Sequence, residues 1–213
     1  MRERARFVPA VWLMSLAIIY SALAFAPVSW TSQQIGVTVG LVSVTAFFVA
    51  LAVAYGVILQ GAPRPPIVTP SSLWLSTALL FASSAAFERA RYALRRAWIG
   101  QYRMQLDLTT FAGVAFLISQ LAAWSDLFSQ GVYVRANPHG SVFYAFTGLH
   151  ALHLAGGLAA LFWLRRRGRL LRTEMESQLR RHRMNAKTAA IYWHFMGLLW
   201  IVLFTLLLTW NQE

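Results

Sequence analysis

The sequence predicts an all-α membrane protein: a polytopic helix bundle with a five-helix core and one additional N-terminal hydrophobic helix, six in total. Two observations carry this. Of 213 residues, 58% are hydrophobic and only 12% charged, about half the charged share of a soluble domain. The apolar residues also fall in runs near the ~20 needed to span a bilayer core as a helix. Inside that core the backbone must satisfy its own hydrogen bonds, so each run is read as a helix.

The runs are Phe7–Ser29, Gly36–Leu59, Ser72–Phe87, Leu108–Trp124, Val142–Leu164 and Ala189–Trp210. Short connections make successive helices antiparallel neighbours. The stretch before the third run holds Pro63, Pro65, Pro66 and Pro70. It reads as a rigid turn that releases a helix just after Pro70. Residues 1–35 form the N-terminal addition and residues 36–213 the membrane domain.

Arg and Lys set the orientation. The segments 88–103 and 165–187 hold 14 of the 19 cations and read as basic cytoplasmic loops. The opposite connections, 61–71 and 125–141, hold one cation each. The second to sixth helices then start inside and end outside, which puts the C-terminus on the outer side of a bacterial cytoplasmic membrane. The first run breaks the pattern, because Arg2, Arg4 and Arg6 precede it. It also has the basic start, apolar centre and small residues Ala22-Leu23-Ala24 of a signal peptide. An uncleaved extra helix is the favoured reading. Leu171, Met175 and Leu179 recur every fourth residue among Arg. Segment 170–185 therefore reads either as a short helix on the membrane surface or a partner, or as a solvated basic connector.

The net charge of +12 would suggest nucleic acid in a soluble chain. Here the cations lie between apolar runs, so no nucleic-acid partner is expected. The absence of cysteine excludes disulfides, thiolate metal sites and iron–sulfur clusters.

Polar side chains inside a membrane are costly and so are candidates for function. His150 and His153 lie three apart on the fifth run, about 60° apart around a helix, and share a face with Thr147 and Gly157. His194 opens the last run, and Gln120 lies deep in the fourth. One reading makes the histidines haem or metal ligands. The other gives each a hydrogen bond to a neighbouring helix or a lipid phosphate. The second is favoured, because neighbours at i, i+3 cannot take opposite faces of one haem iron. No carboxylate lies nearby in sequence to support a metal site. Ala151, Ala155 and Ala159 form a small-residue ladder suited to close helix packing. Trp30, Trp124 and Trp210 near helix ends read as interfacial anchors. Glu88, Asp107 and Asp126 sit only at the boundaries of the runs, which argues against an ion-coupled transporter. No nucleophile–base or phosphate-loop motif is present.

The segment Phe143-Tyr144-Ala145-Phe146-Thr147-Gly148-Leu149-His150-Ala151-Leu152-His153, with Gly156 and Gly157, resembles the signature of subunit III of haem-copper oxidases. Tyr192-Trp193-His194-Phe195, then Trp200 and Phe204, resembles that family's closing helix. Leu73-Trp74-Leu75-Ser76-Thr77, Ser83-Ser84, Glu88 and Arg91 resemble its second core helix. Gln120 and Trp124 fit the helix before the histidine motif. The resemblance runs over about residues 36–210, in the family's order. It implies a subunit with no redox centre of its own, packed beside subunit I, which carries the haem and copper. It also implies lipid in a cleft between the first two core helices and the other three, with Arg89 and Arg91 as head-group candidates. The packing residues it marks are Gln120, Thr147, Gly148, His150, His153, Gly157, Tyr192, Trp193, His194 and Trp200. The chain departs from the family at Val44 and Gly197, where acids are usual, so any role of those acids does not carry over. An accessory subunit of a nitric oxide reductase or other respiratory complex, or an independent haem-binding cytochrome, are the competing readings.

Overall fold

In a computed structural model of the protein, the structure describes residues 32–58, 71–131, 138–171 and 175–210. These form five helices: α1 Ser32–Ile58, α2 Ser72–Arg95, α3 Ile99–Ser129, α4 Pro138–Arg169 and α5 Glu176–Trp210. No strand occurs among the described residues. Helices α1, α3, α4 and α5 are long and apolar enough to cross a membrane. The run Phe7–Ser29 and the proline-rich turn lie outside the described residues, so the sixth helix expected from the sequence does too.

The helices outrun the apolar segments that predicted them. α3, α4 and α5 have 31, 32 and 35 residues, or roughly 46–53 Å at 1.5 Å per residue. A bilayer core is about 30 Å thick. The surplus is basic, because Arg is a good helix former and the backbone ladder need not stop where the lipid does. The expected loop 88–103 is therefore mostly helix, with only residues 96–98 between α2 and α3. The expected loop 165–187 begins inside α4 and ends inside α5. Residues 176–185 are neither a separate surface helix nor a connector; they are the first turns of α5.

The α2–α3 connector is a Schellman turn. Trp98 N–H bonds Ala93 O at 2.9 Å, and Ala97 N–H bonds Leu94 O at 3.2 Å. Its left-handed residue is Ala97, at φ 57°, where glycine is usual. α3 stops conventionally, with Gly131 at φ 78° just past its end.

The fold divides into two compact units. Among the described residues, the first unit takes 32–58, 124–131, 138–150 and 198–210. The second takes 71–123, 151–171 and 175–197. α3, α4 and α5 thus contribute residues to both.

In the first unit, Phe48 of α1 meets Phe146 of α4 at 6.1 Å between ring centroids. Leu127 and Phe143 are buried, with Trp124, Tyr144 and Leu207 packed against them. Trp124 Nε1 donates to Thr147 Oγ1 at 3.1 Å, and Thr147 donates on to Phe143 O at 2.8 Å.

The second unit is a four-helix cluster. Ser76 and Ser119 join α2 to α3 at 2.7 Å. Ser83 Oγ donates to Thr109 O of α3 at 3.0 Å and accepts from Trp193 Nε1 of α5 at 3.1 Å. In this unit α2 therefore packs directly on α3 and α5. The contacts run Ser76–Ser119 and Ser83–Thr109 for α2 and α3, and Arg103–Gly168 and Asp107–Arg165 for α3 and α4. Both pairs are antiparallel, as the short connections predicted. Trp193, 1% exposed, fills the centre. A Cβ built on Gly113 would lie 2.7 Å from its ring and 2.9 Å from Leu158.

Two outcomes test this packing. Gly113→Ala should destabilise the protein by about 1–3 kcal/mol through overpacking, read as a lower thermal midpoint in detergent. Ala97→Gly should stabilise it by about 1 kcal/mol, by relieving the Cβ in the left-handed turn.

Candidate polar site between the helices

At its basic end the second unit is closed by side chains that cross from one helix to the next. The last carbonyls of a helix lack intrahelical donors, and at two helix ends an arginine adds to the backbone donors of the turn. Arg103 of α3 bonds Gly168 O and Arg169 O of α4, both at 3.1 Å. Arg183 of α5 bonds Leu94 O and Arg95 O of α2, both at 3.2 Å. Between the forks, Tyr102 Oη and His182 Nε2 lie 2.7 Å apart and buried, their rings edge to face at 87°. Gly168 makes room for Tyr102: a Cβ there would come within 2.9 Å of the phenol ring. Asp107 of α3 pairs with Arg165 of α4.

One step toward the middle of α2 lies the most polar cluster. Glu88 Oε1 is 2.7 Å from His194 Nε2 on α5 and also bonds Arg91, one turn on in α2. The carboxylate is 44% exposed and the imidazole 37%. Glu88 is thus a tie between two helices with one edge open to the surroundings. Trp193 and His194, adjacent in sequence, both engage α2, through Ser83 and Glu88.

The residues marked by the sequence fall into separate groups. Thr147 and Gly148 belong to the first unit, where Thr147 holds Trp124 and a Cβ on Gly148 would touch the Trp124 ring at 3.6 Å. His150 is buried in the same unit, its ring 5.5 Å from that of Trp200, which stacks on Phe204. His153 and Gly157 belong to the second unit. Tyr192 Oη donates to His153 O at 2.9 Å, and Gly157 lies under Tyr192 and Trp193, with a built Cβ at 3.1–3.2 Å. Gln120 is buried, and its amide N and O have no hydrogen-bond partner among the described residues. Arg91 is engaged by Glu88, whereas Arg89 is exposed. Among the described residues no three of His, Cys, Asp and Glu stand together as metal ligands.

Glu88, Tyr102, His182, Asp107 and Arg165 were not singled out as site residues. The i, i+3 spacing of Glu88 and Arg91 was a usable local signal. Nothing local links Tyr102 to His182, which are 80 positions apart.

The fold and this polar framework define an integral membrane helix bundle in which buried polar groups hold helices together. A family model described as "Cytochrome c oxidase subunit III" matches residues 24–212. A "Probable cytochrome c oxidase subunit 3" of Mycobacterium bovis is 32% identical over 179 residues, covering 82% of this chain and 86% of the relative. One from Nocardia farcinica is 32% identical over 178 residues, covering 82% and 81%. The "Cytochrome c oxidase subunit 3" of Synechocystis is 29% identical over 183 residues, covering 82% and 74%. The chain belongs to the cytochrome c oxidase subunit III family, as the histidine and closing-helix motifs implied.

The Glu88–His194 tie has an energetic test. Glu88→Ala and His194→Ala should each cost about 1 kcal/mol, the pair being partly solvated. The double variant should lose less than the sum, by at least about 0.5 kcal/mol, since both changes remove the same bond. Thermal unfolding of the four proteins of the cycle measures it.

Proposed function

We propose that this chain is the non-catalytic subunit III of a bacterial haem-copper terminal oxidase. It packs against subunit I and stabilises it during oxygen reduction coupled to aerobic electron transport. The observation that carries the reading is the family match over nearly the whole chain. The use of its motif residues supports it. Thr147, Trp193 and His194 hold helices together, and Gly148 and Gly157 admit aromatic rings. Such residues build a rigid neighbour for a catalytic subunit.

Residues 36–213 form the subunit III domain in this reading, and residues 1–35 an addition to it. The basic ends of α2 and α4 face the cytoplasm, and the C-terminus lies on the outer side of the cytoplasmic membrane. Cation counting supports that orientation. Haem and copper reside in the partner subunit. Phospholipid contacts fall to Arg89, because Arg91 is engaged by Glu88.

The test is gentle purification through an affinity tag on this chain. A haem-containing catalytic subunit should co-purify in fixed ratio, and the chain stripped from it should carry no Soret band. A stoichiometric Soret band on the isolated chain would sink the assignment.

A further inference from the structure

One deeply buried side chain of the second unit takes no part in the bonding described above. Gln120 of α3 is 4% exposed. Its Oε1 and Nε2 are both buried without a hydrogen-bond partner among the described residues. The other buried polar side chains of α3 are engaged. Tyr102 meets His182, and Thr109 and Thr110 bond carbonyls of their own helix. Ser119 meets Ser76 and bonds Phe116 O. A primary amide offers two N–H donors and an acceptor oxygen. Burying it without partners costs more than a typical internal hydrogen bond contributes.

The surroundings narrow what can partner it. On the same face of α3, Phe116 and Ala123 lie about one turn to either side, both fully buried. α3 runs antiparallel to α4 through Arg103–Gly168, Asp107–Arg165 and Gly113–Leu158. Each step forward on α3 matches a step back on α4, so Gln120 falls level with Ala151. The methyls of Ala123 and Ala151 offer no polar group. They also fill less space than Leu106, Leu154 or Leu158 elsewhere in this core. An amide so covered is closed to lipid. Among the described residues, no His, Asp or Glu cluster stands there to share a metal. Water is small enough for the place, and it supplies both the donor and the acceptor that the amide lacks.

We propose that Gln120 is the binding site of an ordered internal water in the apolar middle of α3. The water bonds the amide and a helix carbonyl, whose second lone pair is available. Gln120 then joins the polar framework of the second unit as a tie made through water. Ser83 and Glu88 make theirs directly. The site does not depend on the subunit assignment, because every group it uses belongs to this chain.

The test is a cryo-electron-microscopy map of the assembly purified through this chain, at a resolution that shows ordered water. The wild type should show an isolated density peak about 2.7–3.2 Å from Oε1 or Nε2 of Gln120. Gln120→Leu should abolish that peak and leave the helix positions unchanged. A wild-type map with no peak there, while other buried waters are visible, overturns the proposal. So does an amide turned onto a protein group, or a peak that survives in Gln120→Leu. Should Gln120→Leu not assemble, Gln120→Met keeps the length of the side chain and is read in the same way. The result stands whether or not a haem protein co-purifies, so failure of the subunit assignment would show separately.

Discussion

The structure depends on hydrogen bonds that partner polar groups between and within helices without help from water. A lost hydrogen bond in hydrocarbon costs several kcal/mol by order of magnitude. Several hydroxyls are partnered in one of two ways. Ser43, Thr45, Thr77, Thr110 and Thr205 turn back on the carbonyl four residues earlier in their own helix. Ser76 does both, bonding Ser72 O and meeting Ser119 across helices, and Ser83 reaches across to Thr109 and Trp193. Ser83 joins three helices. Its single hydroxyl donates to α3 and accepts from α5, so one atom of α2 sets the spacing of three helices.

The same constraint explains why charge collects at one end of the second unit. Helix ends expose carbonyls that nothing in their own helix can satisfy. Arg103 and Arg183 each cover a neighbour's last two carbonyls, which ties α4 to α3 and α2 to α5 at the point where each chain turns. Cations at helix C-termini also suit the helix dipole. The Arg residues here therefore close the basic end of the second unit.

Much of this was legible in the sequence, and the rest was hidden for identifiable reasons. Apolar runs placed all five described helices, and the short connections gave the antiparallel pairing of α2 with α3 and of α3 with α4. The helix ends were misplaced because hydropathy detects where lipid stops, while a helix stops where its hydrogen bonds do. Arg95, Arg169 and Glu176 therefore sit in helices, not loops. The family motif marked Thr147, Trp193 and His194, each of which makes a cross-helix bond. It gave no hint of Tyr102 with His182, since a buried pair from distant segments leaves no local periodicity. Glu88 was visible as a boundary acid, but only the fold brings His194 to it.

The departures at Val44 and Gly197 can be weighed against that geometry. Gly197 faces α2: a Cβ there would lie 3.8 Å from Ser84 and 3.9 Å from Leu80, ordinary contact distances. His194 lies one turn earlier in α5, and Glu88 one turn beyond Ser84 in α2. An acid at position 197 would therefore enter the same face of α5 against the same helix. There it would meet Leu80 and Ser84, and it would place a second negative charge one turn from a carboxylate already bound to His194. Like charges that close in a low dielectric oppose each other. Glu88 supplies a negative partner for His194 from the opposite helix, with Arg91 balancing it. With glycine at 197, Glu88 of α2 is the carboxylate that His194 meets on this face of α5.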